Sequence, residues 1–118
     1  MSHPFFLLAL SLLLVHEMDA IRCKEWRVLP LTSWMEDEAG YVAFTALHVP
    51  LYALLLWGLA GDGASRGLVL GLDAFFVVHV GLHLLFIRHP EYRFRSVLSW
   101  SLILGSGLFG ALDLLASL

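Results

Sequence analysis

Charge is scarce in this chain, and cysteine is nearly absent. Only 14% of its 118 residues are Asp, Glu, Lys or Arg, against 59% hydrophobic, whereas soluble domains average about a quarter charged. That shortage excludes an ordinary soluble fold. It also argues against a nucleic-acid partner, because the net charge is −3 and the few Lys and Arg residues form no basic stripe. With Cys23 as the only cysteine, no intrachain disulfide can form. Repeats, low-complexity tracts and long linkers are lacking too, so 118 residues make one domain.

What the chain does have is long apolar runs. Residues 41–60, 67–87 and 97–118 each approach the roughly 20 residues that cross a bilayer. The first run, residues 4–15, has the length of a signal-peptide core. Its n-region carries no Lys or Arg, however, and Met18 and Ala20 make a poor cleavage site. A helix begun at Pro4 behind Ser2 instead continues through His16, Asp19 and Ile21, giving a span over residues 4–22 whose polar side chains face protein. The expected fold is all-α, a four-helix antiparallel transmembrane bundle. Arg22, Lys24 and Arg27 fall in loop one and Arg88, Arg93 and Arg95 in loop three, while the other loop and the termini offer only Arg66. The positive-inside rule then places loops one and three in the cytoplasm and both termini outside, as in a multi-pass protein of a bacterial inner (cell) membrane. Cys23 then faces a reducing compartment.

Loop one contains Trp26, Pro30 and Trp34, which suit a segment at the headgroup level. Ser33 and Glu36 match a capping box, predicting a second helix that starts near Trp34 with a solvated acidic end at Glu36, Asp37 and Glu38. Ser96 is placed to cap the fourth helix. Gly105, Gly107 and Gly110 formally match G-x-G-x-x-G, but no strand precedes them and a dinucleotide site is excluded. Small residues four apart, Ser106 with Gly110 and Gly67 with Gly71, are expected to let helices approach closely.

Ionisable residues inside these runs are costly in lipid and mark a site by default. His16 and Asp19 share one face of the first helix, Glu17 projects about 100° away and Glu25 points opposite. His79 and His83 are i, i+4, the spacing at which two imidazoles reach one metal ion. His48 precedes Pro50, which removes a backbone hydrogen bond beside it. At about 1.5 Å rise per residue, His16, His48 and the His79/His83 pair all lie roughly 6–12 Å from the same membrane face. Asp73 and Asp113 form an outer pair, expected to bridge to each other or to Arg66. His3 and His89 lie outside the layer.

The segments His16-Glu17-Met18-Asp19-Ala20, Lys24-Glu25-Trp26-Arg27 and Leu29-Pro30-Leu31, with His48-Val49-Pro50 and His89-Pro90-Glu91-Tyr92-Arg93-Phe94, resemble an uncharacterised family of small bacterial four-helix integral membrane proteins, a domain of unknown function. The resemblance extends over the whole chain. A weaker one links it to membrane proteins named for a His-x-x-Glu-Glu motif, since His16-x-x-Asp19-Ala20 lacks the second acid. Both imply a topology; neither implies a reaction.

The functional expectation is an intramembrane transition-metal site, zinc or iron, near the cytoplasmic leaflet, with His16, Asp19, His48, His79 and His83 as ligands. Glu17 or Asp19 would move protons for chemistry on a lipid-like substrate. The rivals are a bis-histidine haem protein with His48 opposite His79 or His83, a metal-free acid and histidine site like that of a sterol isomerase, and a non-enzymatic membrane subunit or assembly factor. Expected partners are membrane lipid and either a second copy or another membrane protein.

Overall fold

The computed structural model describes residues 3–61 and 65–118. Four helices follow in order, α1 (Pro4–Arg22), α2 (Asp37–Ala60), α3 (Arg66–Phe86) and α4 (Val97–Ala116), with one 3-10 turn at Glu25–Arg27. No strand occurs among the described residues, and all four helices are long and apolar enough to cross a membrane. The chain is therefore an all-α bundle and, by these helices, a multi-pass membrane protein. Pro4 sits in the first turn of α1, where its missing N–H costs nothing.

Contacts between helix ends fix the directions. Asp19, late in α1, meets Ser99 at the start of α4, and His3, just before α1, lies 3.4 Å from Asp113 near the end of α4. Those two helices are antiparallel. Arg66 opens α3 and donates to the carbonyl of Ser117 just beyond α4, so α3 is antiparallel to α4 as well. α4 packs on both α1 and α3, and its buried face carries Ser99, Ser106, Gly107 and Gly110 beside Leu102 and Ile103. A Cβ on Gly110 would stand 3.0 Å from the Asp73 carbonyl oxygen and 3.0 Å from Phe76 Cβ. The α3 and α4 backbones touch there, as the Ser106/Gly110 spacing predicts. Gly67 and Gly71 do not behave that way: both are exposed, and no neighbouring helix lies within 4 Å of a Cβ at either. Their face of α3 points away from the bundle.

α2 is the outlier. Only Gly40 and Phe44 are buried on it, and it rests chiefly on the Glu25–Arg27 turn. The turn exists because Lys24 adopts a left-handed backbone, with φ 52° and ψ 53°, which reverses the chain after α1. Asp37 then accepts from Lys24 Nζ at 3.0 Å, Arg27 Nε at 2.7 Å and Trp26 Nε1 at 3.3 Å. Asp37 is thus an ion-pair hub, while Glu36 and Glu38 on either side stay exposed, as expected of a solvated end. Trp26, expected at the headgroup level, is buried against Gly40, while Trp34 is exposed. The capping box does not form either. Glu36 is the N-cap without a side-chain bond, and Ser33 sits in a run of turns tied by Thr32 N–H to the Leu29 carbonyl. Ser96 does cap α4, accepting from the Ser99 N–H at 3.0 Å.

Gly110→Ala is expected to destabilise the bundle by about 1–3 kcal/mol, because neither the carbonyl nor the Cβ that it meets can swing aside. Gly71→Ala should be neutral or stabilising by up to about 1 kcal/mol. Unfolding in mixed detergent micelles, followed by far-UV circular dichroism, measures both; equal effects would contradict the close approach.

Candidate metal centre

His16 projects from α1 toward α3, where His79 and His83 lie one turn apart. Their rings form a nearly equilateral triangle, with centroids 4.6, 4.9 and 4.6 Å apart and planes steeply inclined at 72°, 81° and 77°. His83 Nε2 lies 3.2 Å from His16 Nε2 and 3.2 Å from His79 Nε2. All three side chains are buried. A tetrahedral ion bound at about 2.0–2.1 Å separates its ligand nitrogens by about 3.3 Å, so the spacing is that of a ligand set.

Proton counting strengthens the point. Each imidazole Nε2 has one in-plane position, holding either a proton or a lone pair. Among three neutral rings, at most one N–H···N bond can form at the centre. The third nitrogen is then left buried without a partner, at a cost of about 1–3 kcal/mol. His83 Nδ1 is occupied by the Tyr92 hydroxyl at 2.9 Å, whereas Nδ1 of His16 and of His79 has no partner. The three Nε2 atoms together can hold one metal ion.

Two loops close over the triangle. After α3, Pro90 interrupts the helical path and Tyr92 N–H bonds the His89 carbonyl at 3.0 Å, folding Tyr92 and Phe94 back under the bundle. The Phe94 ring lies 5.2 Å from His16 and 4.7 Å from His83. From the other side, the Lys24 reversal brings Glu25 to a cavity of about 70 Å³ that it shares with His79, His83, Tyr92, Leu29 and Leu82. That volume holds a few waters or one end of a larger molecule. Glu25 Oε2 is buried without a hydrogen-bond partner. Burial, with the negative charge of Glu17 adding to it, pushes the Glu25 pKa up to about 8. Burial also raises the Tyr92 phenol and the Cys23 thiol. Cys23 lies against the Arg93 carbonyl, 3.5 Å away, as a packed and unreactive thiol.

The five-residue layer expected from depth separates into three assemblies. His16, His79 and His83 converge. Asp19 faces α4 instead, accepting from Ser99 Oγ at 2.5 Å and Arg22 Nε at 2.8 Å, one bond on each oxygen, which holds the carboxylate away from the imidazoles. His48 stands on the far side of α1, 2.6 Å from Glu17 and 2.5 Å from the Phe44 carbonyl, and so does not oppose His79 or His83 as a haem ligand would. Neither Glu17 nor Asp19 lines the cavity beside the triangle. Glu25 and Tyr92, which do, were not among the expected site residues. At the other end, Asp73 and Asp113 lie within side-chain hydrogen-bonding reach of each other, as expected, Asp113 is also approached by His3, and Arg66 turns to Ser117 rather than to either acid. His89 accepts from the Glu91 N–H within its own loop.

Fold and site together define a small four-helix protein with membrane-length helices and a buried triangle of imidazoles. The chain belongs to a family of unknown function, DUF6713, whose model matches residues 2–118. No curated protein and no solved structure matches it.

Glu25 gives the site a pH signature. Its folded pKa lies above the unfolded value of 4.5, so the native state keeps a proton that the unfolded chain releases. Stability from this group is complete below about pH 4.5 and falls as pH rises toward about 8. Glu25→Gln should flatten the fall in thermal stability across that window; an unchanged slope would remove Glu25 as its source.

Proposed function

We propose that this protein is a membrane-embedded metalloprotein in which His16, His79 and His83 bind one transition-metal ion, zinc or iron, beside a small cavity that receives the polar end of a lipid-like substrate. The observation that carries this reading is the convergence of three buried imidazoles, with His83 Nε2 3.2 Å from both His16 Nε2 and His79 Nε2, a distance that suits metal coordination and wastes hydrogen bonds without it. Neutral imidazoles suit either ion. When bound, the ion supplies Lewis-acid or one-electron chemistry.

The chain's own residues supply the rest. Tyr92 holds His83 through Nδ1, orienting the ring as an outer hydrogen bond orients a metal-bound histidine. Glu25, neutral at low pH and ionised above about 8, is able to give or take a proton in the cavity. Leu29, Leu82 and Phe86 keep the remaining wall apolar, so the substrate reaches it from the bilayer. The clustering of Lys and Arg in loops one and three supports an orientation with both termini outside a bacterial inner membrane and the metal centre near the cytoplasmic leaflet. A haem reading fits the geometry poorly, because the three nitrogens meet within a triangle of their own rings and leave no slot for a flat macrocycle.

Metal analysis of the detergent-purified protein tests the proposal. About one ion per chain is expected, with His16→Ala, His79→Ala and His83→Ala each cutting occupancy by tenfold or more, in the range of about 10–100-fold or beyond. His48→Ala should keep full occupancy. Absence of stoichiometric zinc or iron under every metal supplement, or equal loss in the His48 variant, would sink the assignment.

A further inference from the structure

The strongest feature outside the histidine triangle is the contact between Glu17 on α1 and His48 on α2. It lies where two cavities of about 280 and 270 Å³ meet, both walled by Glu17 and Tyr52. Together they fall within the roughly 300–1,000 Å³ of small-molecule sites. The outer cavity adds Phe44, Thr45 and His48; the inner one is otherwise apolar, with Leu13, Leu55 and Phe75 among its walls.

Hydrogen-bond chemistry fixes the character of the polar end. The Phe44 carbonyl can only accept, so His48 Nδ1, 2.5 Å away, carries a proton. His48 Nε2 and Glu17 Oε2 lie 2.6 Å apart, so one Glu17 oxygen is taken up by the imidazole. Beside it, Thr45 Oγ1 is buried with no partner. The second Glu17 oxygen offers an acceptor and the Thr45 hydroxyl both a donor and an acceptor.

We propose that the cleft between α1 and α2 binds one long apolar molecule by a terminal hydroxyl group, seated between Glu17, His48 and Thr45. A hydroxyl both donates and accepts, matching what the cleft presents. A carboxylate would set acceptor oxygens against the acceptor oxygen of Glu17, and a pure hydrocarbon would leave the Thr45 oxygen unpaired. The length follows from two neighbouring cavities that share Glu17 and Tyr52 as walls. Access follows from α2, which buries no residue between Phe44 and its far end and leaves the cleft open sideways to lipid. This site is separate from the histidine triangle and holds whether or not that triangle binds metal.

Photo-crosslinking in lipid nanodiscs tests it, using hexadecanol that carries a diazirine in its chain. Saturable crosslinks should map to residues 13–18 and 45–55. Unlabelled hexadecanol should displace them about tenfold better than hexadecane or palmitate, the worth of one to two net hydrogen bonds. Thr45→Val should weaken capture several-fold, and Leu55→Trp should abolish crosslinks in the inner cavity while elution stays monodisperse and helical content is kept. Should Leu55→Trp fail to fold, Thr45→Val and the competition series decide alone. Equal competition by hexadecane would overturn the hydroxyl site in favour of a plain lipid surface, and stronger competition by palmitate would overturn it in favour of an anion site.

Discussion

Close approach of α4 to its two neighbours is the constraint on which the rest of the structure depends. In lipid, apolar side chains gain little by leaving the solvent, so van der Waals packing and interhelical hydrogen bonds hold helices together. α4 meets that condition with buried Ser99, Ser106, Gly107 and Gly110, which bring its backbone against α3 at Asp73 and Phe76. α1 is fixed to the same helix through Asp19 and Ser99, at 2.5 Å. With α1 and α3 both seated on α4, the distance between them is set, and so is the meeting of His16 with His79 and His83. The tolerance is narrow: one residue of slip along a helix moves a side chain by about 1.5 Å, whereas metal bonds accept about 0.2 Å.

α1 distributes its polar groups among all three neighbours. His16 points to α3, Glu17 to α2 and Asp19 to α4. The helical rotation of about 100° per residue is enough to send residues so close in sequence to three different partners. Each contact is polar within an apolar surround, where an unpaired group is costly, so each specifies which helix lies where. The same four residues, 16–19, thereby act as an address for the whole bundle and place the histidine triangle on one side of α1 and the Glu17–His48 cleft on the other.

Much of this was legible in the sequence, and the failures have identifiable causes. Helix number, the pairing of His79 with His83 and the shared depth of His16 all follow from the two regularities of a helix, its rise and its turn. Depth, however, says nothing about direction around the bundle. His48 lies at a depth expected for a ligand but faces Glu17, because α2 packs beside a different face of α1. Asp19, about 60° from His16, was read as its neighbour on one face; with α4 on that flank, the same 60° suffices to turn it away. Glu25 was lost to an assumption of continuing helix: once Lys24 takes φ 52°, the period no longer applies and the carboxyl swings toward the cavity. Tyr92 and Phe94 carried a signal that went unused. Two aromatics at i, i+2 in a short loop amid Arg88, Arg93 and Arg95 are poor candidates for solvent, and both are buried.

The placement of α2 follows from where its polar contacts sit. Lys24, Trp26 and Arg27 grip Asp37 at its first residue, and Trp26 covers Gly40 so closely that no side chain fits there. A network of this kind holds where an isolated surface pair would contribute almost nothing, since one carboxylate serves several donors at once. Glu17 and His48 supply the next contact along the helix. Beyond it, Leu54, Leu56 and Trp57 are exposed, and in a bilayer their neighbours are acyl chains, which cost α2 nothing to meet. Contact resumes at the far end, where Gly58 lies against Leu68 of α3 and Leu59 against the core around Phe6 and Val69, so the stretch between needs no tight packing. That freedom permits a lipid-facing cleft beside α1, while the imidazole triangle is enclosed by α1, α3 and the two loops below them except at the small apolar cavity beside His79 and His83.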